Sequence, residues 1–413
     1  MLRAEILIVG GGIAGASTAY HLARHGHRVA LLERGAVASE ASGVNAGSID
    51  ATGWGRAPDL QVHLTTGSLE LFHALEREHD HDIELRASGY LQAIHTEAQL
   101  EWARERVRDL IERGHRAELL DAADARSMEP ELNPALPGYV HYPLRAQADP
   151  VKATRAFAAA AARHGAAVRT GCPVTGLHRD GSAWRVETSG ETLAADALVL
   201  AAGAWCAELG RRWLSLAIPI VPVRGQMWAT APLPARVSRV IGSSESMHHW
   251  HRSPGGSGEA PPFLTHCGAE RRTRHLYGRQ TREGAIIFGG DRELVGFDKT
   301  PDPAGIAVNR AHAAEVLPFL RELPVARTWA GLMPFPLDGK PLIGRLPGHD
   351  RLYIAGGLAS SGFGRGPMAG KLLADLIHTG TPHPVLAEAD PARCVRPLGT
   401  PAAIYPGTPR TSF

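Results

Sequence analysis

Cysteine is scarce in this chain. Four occur in 413 residues, Cys172, Cys206, Cys267 and Cys394, with no C-x-x-C pair among them. That argues against a disulfide framework and a zinc ribbon, and fits a reducing compartment. An excess of either charge is missing as well, because 44 Lys and Arg nearly cancel 42 Asp and Glu. No field is left to favour nucleic acid or an anionic membrane, so small-molecule chemistry is expected. Apolar runs stay far short of the ~20 residues that span a bilayer, and no basic leader with an apolar core precedes the first strand. The expectation is a cytoplasmic protein. No internal repeat is evident, and the length suits two domains better than one core.

What the chain does have is a strong opening. Residues 4–9 form a short apolar run ending at glycine, Ile13 to His25 carries helix formers, Gly26 stands where a helix stops, and Arg28 to Leu32 is apolar again. This is a βαβ unit. Gly10, Gly12 and Gly15 complete G-x-G-x-x-G: the first for the turn, the second for close approach to a diphosphate, the third for helix packing. Glu33 ends the second strand, where a carboxylate accepts hydrogen bonds from an adenosine ribose and would repel the extra phosphate of NADP.

Amphipathic helices are expected near 64–80 and 97–113, the second opened by Thr96-x-x-Gln99 and closed by Gly114. Asp149 and Pro150 open another, stopped by Gly165. A β-meander with turns at Asp180-Gly181 and Ser189-Gly190 follows, then a buried strand to Ala201. From about 215 the texture becomes strand-rich, with a hairpin at Glu283-Gly284 and a Pro/Gly/His-rich insert at 243–270. The fold class expected is α/β, α+β overall: a Rossmann-like nucleotide domain from 1–50, 146–214 and 327–380, an antiparallel-sheet substrate domain from 51–145 and 215–326, and a Pro-rich tail at 381–413.

Seven motifs in order resemble the D-amino-acid oxidase family of FAD-dependent amine and amino-acid oxidoreductases, which includes glycine oxidase, sarcosine oxidase and the catalytic subunit of hydrogen cyanide synthase. They are GGGIAGASTAYHLARHGHRVALLER, SGVNAGSI, VTGLHRDG, LVLAAGAW, VPVRGQM, WAGLMPFPLDGKPLIG and LYIAGGLASSGFGRGPMAGKLLADLI. The resemblance implies FAD, with Gly10, Gly12, Ile13, Ala14 and Gly15 around the diphosphate and Glu33 and Arg34 at the adenosine. It further implies Ser42, Asn45, Ala46, Gly47 and Ser48 in the loop toward the ring and Val174 at the adenine. Ala202, Gly203 and Gly331 approach the cofactor, and Gly357, Gly362, Phe363 and Gly364 form the turn facing the flavin. Free amides there favour the negative charge that reduction places on the ring.

Departures from the family refine this. Val44 and Gly331 stand where relatives carry a histidine or cysteine that bonds FAD, so a non-covalent cofactor is expected. Met333 replaces an arginine that grips the substrate carboxylate, and Ser360 replaces a second. Arg365, Arg224 and Arg279 are the substitute cations, and Tyr277 matches a residue on the substrate side. Tyr277, Arg279 and Arg365 are therefore the candidates for substrate contact. No metal is expected, since His248, His249, His251, His266 and Cys267 lack ligand spacing in a chain of 21 histidines. The reaction expected is hydride transfer from a carbon bearing nitrogen, giving an imine that hydrolyses. The electron acceptor is oxygen, or a quinone or protein in the dehydrogenase alternative; a flavoprotein subunit without turnover is the third reading.

Overall fold

The computed structural model describes residues 3–50, 59–253 and 260–399. Strand β1 (Arg3–Val9) is buried along its last four residues and feeds helix α1 (Ile13–Arg24) through Gly10, whose φ of +116° only glycine adopts readily. Gly26 closes the helix at φ +87° and the chain returns as β2 (Val29–Leu32), parallel to β1. Helix α2 (Asp59–His79) starts earlier than its apolar periodicity indicates. Strand β3 (Tyr90–Ile94) precedes α3 (Glu97–Glu112), where the Thr96 hydroxyl accepts from the Gln99 amide at 3.3 Å. The Gln99 side chain reaches back to the His95 amide at 2.8 Å, one residue beyond the usual capping box.

Strands β4 (Glu118–Leu120) and β5 (Gly138–Tyr142) lead to α4 (Pro150–Arg163), capped by Asp149, which accepts from the Lys152 amide at 2.7 Å. Next come β6 (Ala167–Arg169) and the meander β7 (Val174–Asp180), β8 (Ala183–Thr188) and β9 (Thr192–Leu200). The strand-rich part comprises β10 (Ile220–Ala229), β11 (Val240–Ser243), α5 (Glu245–Arg252), β12 (Tyr277–Gln280), β13 (Ile286–Gly289), α6 (Pro303–Val316) and β14 (Arg327–Pro336). Strands β15 (Leu342–Arg345) and β16 (Leu352–Gly356) precede the last long helix, α7 (Gly362–Thr379).

Two eight-stranded sheets result. The first runs β15-β16-β9-β1-β2-β6 with the meander appended through β8 and β9; its β16-β9-β1-β2-β6 core is parallel. Apolar residues on one face join the cluster of α1, α2, α4 and α7, and those on the other, Leu7, Val9 and Leu198 among them, pack with Leu177, Trp184 and Val186 of the meander, so both faces of the parallel sheet are buried. The second runs β14-β10-β13-β12-β11-β3-β5-β4 and departs from the antiparallel expectation at one pair, since β3 and β11 are parallel. The predicted hairpin at Glu283-Gly284 joins β12 to β13.

The segment 327–336, expected with the nucleotide-binding segments, is hydrogen-bonded along ten residues to β10 in the second sheet. Its partner strand lies about a hundred residues upstream, a pairing that local pattern does not reveal. Within the Pro-rich tail, Arg396 and Pro397 pair with Ala217 and Leu216, while 400–413 lie outside the described residues, as do 254–259 of the His-rich insert. No described helix is long and apolar enough to cross a membrane.

Candidate active site

A cavity of about 670 Å³ runs from the first βα turn, past the start of α7, to the face of the second sheet. At its first end the backbone is kept bare by necessity. A Cβ on Gly10 would lie 2.4 Å from the Ala201 carbonyl oxygen, and one on Gly15 would lie 2.0 Å from that of Gly10. Gly15 therefore sits behind the wall as the packing glycine, while Gly10, Gly12, Ile13 and Ala14 line the cavity. Helix α1 begins there without a side-chain cap from its Gly12 N-cap, and the Ser42 hydroxyl accepts from the Ile13 amide at 2.9 Å. Amides and a helix N-terminus of this kind suit the diphosphate of FAD. Glu33, Arg34, Val174, Ala202 and Gly203 line the same end, and the Arg34 guanidinium lies 3.8 Å from the Trp205 ring centre.

The loop 41–50 forms the next stretch of wall through Ser42, Asn45 and Ser48. Asn45 braces it internally: its Nδ2 donates to the Ala41 and Ser42 carbonyls, and its Oδ1 accepts from Gly47 at 2.7 Å. Ala46 and Gly47 differ from the expectation and do not face the cavity. Ala46 is buried in an apolar cluster with Met227, Ala229 and Ile287, and a Cβ on Gly47 would lie 1.9 Å from the Ala148 carbonyl.

Helix α7 aims its first turn at the middle of the cavity. Its N-cap, Ser361, makes no side-chain cap, and Gly362, Phe363, Gly364 and Arg365 all line the space. A positive helix end that no side chain caps fits a ring that gains negative charge. Gly331 lines the opposite wall, where a Cβ would lie 2.3 Å from Val44 Cγ2. Gly357 differs from the expectation: it makes the turn at φ +66° against Leu342, and Gly356 lines the cavity in its place.

Beyond α7 the walls become cationic and aromatic. Tyr277 and Arg365 face the cavity as expected, with Arg365 only 7% exposed and its Nε lacking a partner among the described residues. Burial pushes this guanidinium down to about 10, against the pull of Asp50. Two candidates belong elsewhere. Arg224 pairs with Glu293 at 2.6 Å and Asp298 at 3.3 Å outside the cavity, and Arg279 lies behind the loop, its Nε donating to the Ala46 carbonyl.

Other residues of this end escaped the sequence reading. Arg292 is 2% exposed, stacks 4.3 Å over Trp250 and is pushed down to about 9 by burial, with Tyr277 opposing and Arg365 adding to the shift. Its Nη2 lies 3.2 Å from His275 Nε2, which must accept, so Nδ1 carries the proton toward Ser246 Oγ at 2.6 Å. Burial, first, and the neighbouring Arg292 hold His275 neutral. Arg145 sits between the Tyr90 and Tyr142 rings at 4.5 and 4.4 Å and pairs with Asp50 at 2.9 Å. Burial works against its charge, yet Asp50 and the two tyrosines hold it above the ordinary arginine value. The cue that existed was Arg292, following the Gly-Gly pair at the end of the hairpin strand; Arg145 and Asp50 gave none.

This chain belongs to the DAO family, described as FAD dependent oxidoreductase, whose model matches residues 5–376. It is 29% identical over 390 residues to glycine oxidase from Geobacillus kaustophilus, covering 91% of this chain and 93% of the relative. With glycine oxidase from Pseudomonas aeruginosa the identity is 30% over 387 residues, covering 90% and 94%. The crystal structure of the Geobacillus kaustophilus glycine oxidase superposes with a TM-score of 0.81 at 26% identity over 94% of this chain and 98% of that one. L-proline dehydrogenase from P. horikoshii gives 0.80 at 25% identity, over 95% and 98%. The protein is an FAD-dependent oxidoreductase that oxidises an amine or amino acid.

Among the described residues, His266 is the insert histidine that lies beside carboxylates, Asp291 and Glu293. Those acids are engaged by Arg271, Arg224 and Gln226.

Proposed function

We propose that the protein oxidises the C–N bond of an amino acid, holding FAD without a covalent bond and its substrate carboxylate on Arg292 and Arg365, with oxygen as electron acceptor. What carries this reading is the placement of two buried guanidinium groups on the same cavity wall as Tyr277 and the first turn of α7. The Arg365 Nε has no hydrogen-bond partner among the described residues, and a carboxylate supplies a charge-assisted, bidentate partner for such a buried cation. Met333 leaves the family's usual arginine position apolar, and the cations come instead from the first turn of α7 and from the segment that follows β13. Gly331 and Val44 support non-covalent binding, because neither offers a nucleophilic side chain that could bond the flavin.

The cofactor roles follow the cavity's geometry. Gly10, Gly12, Ile13 and Ala14 take the diphosphate, Glu33, Arg34 and Val174 the adenosine, and the α7 amides the electron-rich edge of the ring. Bound FAD supplies the two-electron acceptor toward which the hydride leaves the carbon beside nitrogen. The protein's own residues orient that carbon: Arg292 and Arg365 fix the carboxylate, Tyr277 offers a hydroxyl, and Met227 and Met333 keep water away. No described histidine or carboxylate is needed as a base, since the nitrogen lone pair drives hydride loss from the neutral amine. The imine takes up water to release a carbonyl compound and the amine, and oxygen leaves as hydrogen peroxide.

Anaerobic mixing with glycine, sarcosine and amino acids of both hands tests the reading. A substrate bleaches the flavin's visible band, and air restores it with peroxide formed. Reoxidation by a quinone or dye but not by air assigns a dehydrogenase; no bleaching by any amine overturns the proposal. The value of kcat/KM rises with pH until the substrate amine is neutral, and Arg365→Met raises KM by about tenfold or more through loss of a charged hydrogen bond.

A further inference from the structure

Arg279 is among the largest fully buried side chains of the protein, 1% exposed, yet it does not reach the cavity. Its hydrogen-bond partner is a carbonyl, that of Ala46, rather than a carboxylate, and its Nη1 has no partner among the described residues. Burying a guanidinium on such terms opposes folding, so stability does not account for it. Its position does. Residues 44–47 carry the backbone from the diphosphate end of the cavity toward the ring, and two side chains of the second sheet hold that stretch from behind. Arg279 of β12 takes the Ala46 carbonyl, and Trp329 of β14 donates its Nε1–H to the Val44 carbonyl at 2.8 Å. Ala46 is clamped further by the apolar cluster of Met227, Ala229 and Ile287, against which Tyr277 and Trp329 pack.

We propose that Arg279 is a positioning residue for the cofactor: together with Trp329 it fixes the backbone of residues 44–47, so that the second sheet sets the shape of the FAD cavity. The two carbonyls flank Asn45, whose side chain ties the loop to Ala41, Ser42 and Gly47, and Ser42 in turn accepts from the Ile13 amide at the start of α1. A continuous set of hydrogen bonds thus links strand β12 to the diphosphate end. Because Tyr277 lies two residues before Arg279 on the same face of that strand, the strand that touches the substrate also steadies the cofactor wall. This role is independent of which amine is oxidised.

FAD titrated into flavin-stripped protein, followed by quenching of its fluorescence, tests the assignment alongside the melting temperature of the flavin-free form. Arg279→Met removes the buried charge and the bond to Ala46. The flavin-free protein then melts at the same temperature or higher, while the Kd for FAD rises about tenfold, the weight of one hydrogen bond from a charged donor. Arg279→Lys, which keeps a donor, recovers part of the affinity, and Trp329→Phe weakens FAD binding on its own. The proposal is overturned if Arg279→Met and Trp329→Phe both bind FAD within twofold of the parent. It is equally overturned if weaker binding comes only with a matching fall in the melting temperature of the flavin-free protein, which marks a purely structural residue.

Discussion

Glu33 uses its two carboxylate oxygens on separate backbone amides, Gly11 at 2.7 Å and Gly35 at 2.8 Å, and is 8% exposed. It therefore holds the glycine-rich turn in shape before any ribose arrives, a second job beside the one its spacing announces. Glu33→Ala leaves both amides unsatisfied and destabilises the flavin-free protein by about 1–3 kcal/mol per amide, read from urea unfolding. Glu33→Gln retains one acceptor and loses about half as much. Residues of this kind were legible because their neighbours are local: turn, helix and acid fall within one βαβ unit. Arg279 shows where such reading ends. Strand periodicity correctly puts it on the face of Tyr277, but the loop 44–47 crosses that face and covers it, an event decided by a segment over two hundred residues away. Arg145 and Asp50 were invisible for the same reason, and Arg292 gave no more than its place after a Gly-Gly pair, since the three meet only when α7, the 41–50 loop and the second sheet assemble.

At the level of elements, the two helices whose N-termini face the cavity are packed to backbone contact. A Cβ on Gly370 would lie 2.7 Å from both the Ala14 carbonyl oxygen and the Thr18 nitrogen, and one on Gly366 2.5 Å from Ile13 Cγ2. The Ser17 hydroxyl donates to the Pro367 carbonyl at 2.7 Å across the same seam, tying the two helices with a polar contact. These small residues set the distance between the diphosphate end and the ring end. Gly370→Val is thus expected to push α7 from α1, lowering stability by about 1–3 kcal/mol as overpacking does, and weakening FAD binding in the same variant. An exposed helix-interior glycine would respond oppositely and gain stability, so the sign of the change checks the packing. The sequence carried α1 and α7 plainly through their glycines and apolar stripes, whereas β14 looked like part of the nucleotide-binding segments because pairing across the molecule has no local signature.

On the scale of the whole molecule, the chain buries several imidazoles in neutral form, and this sets how stability answers to pH. His21 is pushed down to about 3 by burial, first, and by Lys371, while burial holds His275 and His312 well below the ordinary value. Each binds a proton readily only when unfolded. A folded pKa depressed below 6.5 means that stability is fully present above that pH and falls as pH drops through it, by up to about 1.4 kcal/mol per pH unit for each group. For His21 the loss continues to about pH 3. Urea midpoints should therefore be highest at neutral pH and above, and decline steeply between pH 6.5 and 4.5. His21→Leu provides the control: its Nε2 has no hydrogen-bond partner among the described residues, so an apolar side chain costs little at neutral pH. The variant should match the parent near pH 7.5 and exceed it at pH 5, with a shallower slope between. An unchanged slope would mean that His21 does not stay neutral in the folded protein.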